Sequence, residues 1–395
     1  MKTFLLNNRL YWLLILCLGI DFCLLLGMIE DLSVSYYEAL NFFEGQGLEA
    51  YLARLGVKIL GQNDIGLKIP FVLLNLINAV LLFFYAKGFL KRESDALVCV
   101  ILFLLLPGVN AGAILLHKSG IVIFFILLLC LWNQKTQKIP YWLLLIMVFV
   151  DKSFSLVFFA LIFYGIAKKN NLLIVCSLVF FALNMYLYGL EVSGRPEGYF
   201  LDTSGHLLLI FSPLMFLYFL YTLYRYINTK PKPLIWYICV VALSFILLFS
   251  LRQRVDTQTF APLLTLGIVM MVNLYFSGLR VRLPQFKSRY RVPFAACLAV
   301  LLLCSGILFA FKPLFLVMDS FQSHFAYRYY GAKELANSLK ALGIQEVKTN
   351  ERLQESLKFY GISEGGRHLG LTPAKNAHKI PIKYYGKTLV TFYLE

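Results

Sequence analysis

The sequence predicts an all-α polytopic membrane protein, with amphipathic helices on its outer face and a small α+β domain at its C-terminal end. Three observations carry that prediction. Apolar residues make up 59% of the 395 positions and charged residues only 15%, at a mean hydropathy of +0.72, more apolar side chain than a soluble domain can bury. The apolar residues gather into about eleven windows of near-spanning length. The cations, which give a formal net charge of +16, collect in the short segments between those windows, where an orientation signal belongs.

In chain order the apolar runs cover roughly 9–29, 69–88, 94–108, 119–133, 139–151, 152–167, 171–189, 205–227, 234–251, 260–278 and 293–315. The fourth to sixth are short or closely spaced. The first has no small-residue exit and is followed by further runs, so it is expected to act as an anchor rather than a cleaved signal. With Lys2 and Arg9 on the cytoplasmic side, every basic cluster falls on that same side: Lys87, Lys91 and Arg92; Lys135 and Lys138; Lys168 and Lys169; Arg225, Lys230 and Lys232; and Arg280, Arg282, Lys287, Arg289 and Arg291. Outer segments hold only scattered cations. The sequence therefore predicts an N-inside, C-outside inner-membrane protein. No long basic face exists, which argues against a nucleic-acid partner. All eight cysteines lie inside apolar runs, without a C-x-x-C pair, and read as small buried residues.

Two outer segments are long. Residues 30–69 contain "YYEALNFFEG" and "LEAYLARLGVKIL", where Tyr51, Leu52, Leu55 and Ile59 recur at helical spacing, as in a helix lying on a leaflet. The tail, 319–395, opens with "GAKELANSLKALG", a helix pattern with Ala332, Leu335, Ala336, Leu339 and Leu342 on one face and Gly343 as its stop. "ERLQESLKFYG" repeats the pattern, and "TLVTFYLE" reads as a strand. The expected division is thus a transmembrane domain over 1–318 and an extracytoplasmic α+β domain over 319–395. About 75 residues give a thin core, so the tail is expected to rest on the outer loops.

Ionisable residues cluster at the outer ends of the runs: Glu30 and Asp31 after the first, Lys118 in "LLHKSG", Asp151 and Lys152 in "FVDKSFS", and Arg252 and Arg254 in "LRQRVDTQ". Each alone could be an interfacial anchor or an ion-pair member. Together they suggest a polar cavity that holds an anion and moves a proton. Paired guanidinium groups suit phosphate oxygens, and a phosphate on a lipid would reach this rim from the bilayer. Inner loops carry no Gly-rich phosphate loop, so an outward-facing transferase must use a membrane-carried donor. The five histidines, His117, His206, His324, His368 and His378, lack metal-ligand spacing. The outer stretch "GRPEGYF", Gly194–Phe200, reads as a connector, with closure over an acceptor as the alternative.

The stretch "GLEAYLARLGVKILGQNDIGLKIPFVLLNLINAVLLFFYAKGFL", Gly47–Leu90, resembles the first outer loop and second span of the GT-C glycosyltransferases. The branch it resembles holds the protein O-mannosyltransferases and lipid A aminoarabinose transferases. Gln62, Asn63, Asp64, Lys68 and Pro70 occupy the places of that branch's polar turn and basic residue before proline. "DALVCVILFLLLPGVNAGAILLHKSGIVIFFILLL", "VDKSFSLVFFALIF" with Lys152, and "LRQRVDTQTFAPLLTLGI" with Phe260 and Pro262 are similar to later segments. The resemblance runs from about residue 10 to 315.

What the resemblance implies is an inverting transfer from a polyprenyl-phosphate-linked sugar to a hydroxyl of lipid A or lipooligosaccharide, a protein or a wall glycan. Asp31 is the implied general base, with Glu30 beside it and Glu38 an alternative; Arg252, Arg254, Lys152 and Lys118 are the implied donor-phosphate ligands. Glu38, Lys58 and Asp64 are candidates for the acceptor side or its loop. A divalent ion beside Asp31 stays an open alternative, carboxylates and a phosphate being able to share one; no residue is assigned as a metal ligand. The sequence departs from the branch in reading "IEDLSVSYYEA" after the first span, in lacking a carboxylate in "LLHKSGIV", and in having "EGQGLEAY" in place of leading prolines. A lipid-binding scaffold without turnover and a transporter of lipid-linked solutes are the alternative readings.

Overall fold

The computed structural model describes residues 2–189, 198–314, 327–372, 378–384 and 386–394. The chain divides into two compact units: Met1–Phe22, Leu73–Ala113 and His117–Ser305 form the first, and Cys23–Val72, Ile114–Leu116 and Gly306–Glu395 the second.

The first unit is a helical bundle around a continuous aliphatic and aromatic core. Among the described residues, six helices are long and apolar enough to cross a membrane: Arg9–Asp31, Asp64–Phe89, Ser119–Thr136, Asn171–Tyr188, Thr257–Val281 and Pro284–Phe309. Two further runs are broken. The pair Glu93–Leu104 and Pro107–Ile114 bends by 62°, and the pair Phe200–Phe211 and Pro213–Tyr226 by 101°. Proline begins the second helix of each pair, where its missing N–H costs nothing, and Ser212 at the sharper break has φ +71°. Three of the predicted runs fold into shorter helices, Tyr141–Val148, Phe154–Lys168 and Leu234–Ser250. Eight residues rise only about 12 Å, well under the roughly 30 Å hydrocarbon layer. Among the described residues, six to eight helices or bent pairs are thus long and apolar enough to span, and the remaining apolar windows fall on the shorter helices, because a window counts apolar residues and not helix continuity.

The short helix Tyr141–Val148 can end inside the bundle because its freed carbonyls find donors. Asn184 Nδ2 donates to the Val148 carbonyl (2.8 Å) and the Asp151 carbonyl (3.2 Å), and the Tyr188 hydroxyl donates to the Phe149 carbonyl (2.6 Å). The next turn is tight for the same reason. Lys169 takes a left-handed φ of 54°, Asn170 caps the following helix through Leu173 N (3.1 Å), and a Cβ on Gly165 would meet Ile174 at 2.8 Å. Inside the first span, Asp21 is buried and accepts from Asn75 (3.5 Å).

In the second unit, Ser35 begins the helix Tyr36–Glu44 with a reciprocal capping box to Glu38. The helix Leu48–Leu60 exposes Tyr51, Leu55 and Ile59 on one face, three of the four residues expected to meet a leaflet; Leu52 instead packs against a buried cluster of this unit. Its other face is small for a reason: a Cβ on Gly56 would lie 2.2 Å from the Gly66 carbonyl oxygen and 2.6 Å from Pro70. Val34, Ala39, Ala53, Leu67, Phe71, Leu116 and Phe359 form one buried cluster of this unit. The tail contributes helices Ala332–Ala341 and Glu351–Phe359, with Ala332, Leu335, Ala336 and Leu339 buried as predicted. Leu342 differs: the helix has ended, and the side chain is exposed. Five strands, β1 (Glu346–Lys348), β2 (Ser363–Glu364), β3 (Arg367–Gly370), β4 (His378–Tyr384) and β5 (Lys387–Leu394), form a mixed sheet in the order β2-β1-β3-β5-β4. β1 is parallel to β2 and β3, and β5 is antiparallel to β3 and β4. The tail docks on the segment after the first span: Ser33 N donates to the Tyr329 carbonyl (2.8 Å), Val34 N to the Tyr360 hydroxyl (2.8 Å), and Gln62 Nε2 to the Phe359 carbonyl (2.7 Å).

Candidate functional site

The acidic candidates all lie in the second unit, and their surroundings separate them. Glu38 is buried, and both its oxygens are engaged. Oε2 accepts from Ser35 N and Ser35 Oγ (2.9 Å each), and Oε1 accepts from Leu116 N (3.2 Å). Lys68, fully buried, brings its ammonium to 4.0 Å from Oε1 without a hydrogen-bond partner of its own. Asp64 is also buried; it pairs with Lys333 (2.8 Å) and accepts from the Tyr360 hydroxyl. Burial and the Asp64 carboxylate push the Tyr360 phenol well above its usual range. Tyr329 is raised by burial and by Glu38.

Asp31 ends the first helix and forms an ion pair with Lys312. Its side chain is 39% exposed, against 5% for Glu38 and 6% for Asp64, so it is the one of the three that a substrate hydroxyl can approach. Glu30 is exposed, and its carbonyl accepts from Lys333 Nζ (2.9 Å). Lys58 is exposed on the helix Leu48–Leu60.

The cationic candidates lie in the first unit. Lys118 pairs with Asp151 (3.2 Å), whose other oxygen accepts from Ser153 N (3.0 Å). Asp151 is buried and Lys118 is over a third exposed, so the carboxylate anchors the ammonium near the surface. Lys152 is half-buried beside it. Arg252 and Arg254 follow the helix Leu234–Ser250, whose last turn is closed by Arg252 N and Gln253 N donating to the Phe249 carbonyl (3.0 and 2.9 Å). Both guanidinium groups are exposed, and neither has an ion-pair partner among the described residues. Arg254 lines an open cleft of about 560 Å³ with His206, Asp256, Thr257 and Gln258; Arg252 does not. The two arginines thus do not form one fork on that cleft. Asp256 is held by the Thr259 hydroxyl (2.5 Å).

Sequence reasoning missed several partners. Lys312, Lys333 and Tyr360 lie about 300 residues from the acids they contact, and periodicity carries no such pairing. Lys68 was placed in a motif but not recognised as the counter-charge of Glu38; a lysine before proline inside an apolar run is the signal that could have found it. Arg195 and His324 lie outside the described residues. Among the described residues, no group of three or more His, Cys, Asp or Glu side chains is gathered as a metal site.

No protein-family model matches the sequence, and no curated protein matches it. A solved structure does match: ArnT from Cupriavidus metallidurans in the apo state, at a TM-score of 0.54 and 11% identity, covering 98% of this chain and 98% of that one. The helical bundle and the C-terminal sheet are both included in that coverage, and this chain has an ArnT-like fold.

Proposed function

We propose that the protein is an inverting GT-C glycosyltransferase that moves a sugar from a polyprenyl-phosphate-linked donor to an acceptor hydroxyl on the extracytoplasmic face of the inner membrane. The observation that supports it most is the end-to-end likeness to ArnT, with 98% of each chain covered. In this reading the Asp31 carboxylate takes the acceptor proton as the hydroxyl oxygen attacks the anomeric carbon. The bond from that carbon to the phosphate oxygen breaks, and the phosphate leaves with the electron pair. Exposure favours Asp31 over Glu38 and Asp64 for the base, since the latter two carboxylates are themselves buried. Glu30 flanks it. Arg252, Arg254, Lys118 and Lys152 supply cationic stabilisation of the leaving phosphate, a contribution that operates through charge developed in the transition state. In the same reading Glu38, Lys58 and Asp64 belong to the acceptor side or its loop, Glu38 and Asp64 acting through the structure they hold.

The test is a lipid extract of the purified full-length protein, examined by mass spectrometry, beside a transfer assay in membranes supplied with donor. Wild type and Asp31→Asn should both carry polyprenyl phosphate, and only the wild type should transfer, with a loss of about 10²-fold or more in the variant. Equal transfer by both proteins removes Asp31 as the base. A scaffold without turnover would instead bind the lipid and show no transfer in the wild type. The Lys312 pair on Asp31 is the feature that favours that second reading.

A further inference from the structure

The first unit has polar groups at both ends of its helices, and only one set has been used. Three helices define the two ends. Ser119–Thr136 begins after Lys118 and ends beyond Asn133; Phe154–Lys168 begins after Asp151 and Lys152 and ends at Lys168; Leu234–Ser250 begins after Lys232 and ends before Arg252. The candidate donor-phosphate residues therefore share one end. Lys168, Arg225 and Lys232 share the other, the end predicted to face the cytoplasm.

At that second end lies a cavity of about 470 Å³, the size of an ordinary ligand site. Lys168, Arg225 and Lys232 line it, and none of its lining residues is acidic. None of the three cations has an ion-pair partner among the described residues. Two are held by rings: Lys232 Nζ lies 4.3 Å from the Trp236 ring centroid and Lys168 Nζ 5.8 Å from that of Tyr164. Two amide-to-hydroxyl hydrogen bonds lie among the lining residues. Asn273 Nδ2 donates to the Tyr226 hydroxyl (2.8 Å), and Asn133 Nδ2 donates to the Tyr164 hydroxyl (3.3 Å). Asn133 Oδ1 is buried there without a donor. Arg225 also borders a second cavity, lined by Tyr275, Tyr290 and Phe294, so a polar pocket continues into an aromatic groove.

Converging cations without a carboxylate select an anion. An orphan acceptor beside them selects a hydroxyl on the same ligand, and the aromatic groove selects an apolar extension. We infer that this cavity binds a phosphate flanked by a hydroxyl, the chemistry of a glycerophosphoryl headgroup, carried by an anionic lipid of the adjoining leaflet. This site stands independently of sugar transfer.

The experiment uses the full-length protein in phosphatidylcholine nanodiscs titrated with phosphatidylglycerol, read as lipid retained after extraction by native mass spectrometry. Lys168→Gln/Arg225→Gln/Lys232→Gln should weaken retention by about tenfold or more. Lys135→Gln/Lys138→Gln, which removes exposed cations at the same end but outside the cavity, should retain the lipid as wild type does. Asn133→Leu should weaken phosphatidylglycerol more than phosphatidic acid, which has no headgroup hydroxyl. Unchanged retention in the triple variant, or equal loss in the triple and control variants, overturns the site. Displacement of bound lipid by soluble glycerol 3-phosphate supports the phosphate–hydroxyl chemistry. Binding of glycerol 3-phosphate without retention of any lipid overturns the lipid as its source.

Discussion

Glu38 and Lys68 form a buried pair whose two members are unequally supported, and that asymmetry sets the outcome of a mutant cycle. Glu38 keeps three donors of its own, Ser35 N, Ser35 Oγ and Leu116 N, whereas Lys68 has no hydrogen bond and depends on Glu38 for counter-charge. At their 4.0 Å separation, the Coulomb energy is about 4 kcal/mol for an effective dielectric of about 20. Glu38→Gln leaves an ammonium buried and unpaired, and should cost about 3–5 kcal/mol. Lys68→Met leaves a carboxylate that still accepts three hydrogen bonds, and should cost less, about 1–3 kcal/mol. The double variant removes the stranded charge and should be more stable than Glu38→Gln alone by at least about 1 kcal/mol. Unfolding by titrated SDS in mixed micelles, followed by intrinsic tryptophan and tyrosine fluorescence, ranks the four proteins. If Lys68→Met proves the worse single variant, or the double variant is no better than Glu38→Gln, Lys68 does not rely on Glu38 in the way the distances indicate.

Tyr360→Phe deletes the bonds from Val34 N and to Asp64 and should cost about 1–3 kcal/mol, because both partners stay buried; the same SDS titration checks it. The Tyr360 phenol is raised in the folded protein, so its contribution is complete below the unfolded value near pH 10 and is lost as pH climbs toward the folded one. Tyr360→Phe should accordingly flatten the alkaline limb of stability against pH, measured as midpoints from about pH 8 to 11. Gly56→Ala should destabilise by about 1–3 kcal/mol through overpacking against the Gly66 backbone. Gly27→Ala meets nothing within 4 Å and should be neutral or stabilising by up to about 1 kcal/mol in the same assay.

Elements with a local signal were legible in the sequence. The amphipathic stretches "YYEALNFFEG" and "LEAYLARLGVKIL" and the tail helices each depend on residues within two turns of one another, and each formed where its pattern lies. The breaks in the bundle were not read, although Pro107 and Pro213 mark them, because a hydropathy window averages a single proline with the apolar residues around it. Of the tail's five strands only the last was anticipated. β1 and β2 are three and two residues long, too short to show alternation, and take their conformation from parallel neighbours far along the chain.

The charges divide along a similar line, and the division bears on function. A cation's compartment is a matter for sequence, because insertion responds to clusters summed over a loop, and the orientation expected from those clusters stays an expectation. Its partner is not, because pairing is fixed by packing. The partners of Lys68, Lys312 and Lys333 are not marked in the sequence pattern, and each lysine pairs with an acid: Glu38, Asp31 and Asp64. Arg252, Arg254, Lys168, Arg225 and Lys232 have no such match among the described residues. A matched cation is used in holding the fold, and its replacement should be read first in stability. An unmatched one at a cavity keeps its charge for a ligand, and its replacement should be read first in binding, with unfolding midpoints unchanged. Arg254 and Arg225, each lining a cavity at its own end of the first unit, put that distinction to the test. Arg254→Gln should weaken the polyprenyl phosphate and leave phosphatidylglycerol retention intact, and Arg225→Gln the reverse. A variant that weakened both lipids equally would show that the unit responds to net charge and not to two separate sites.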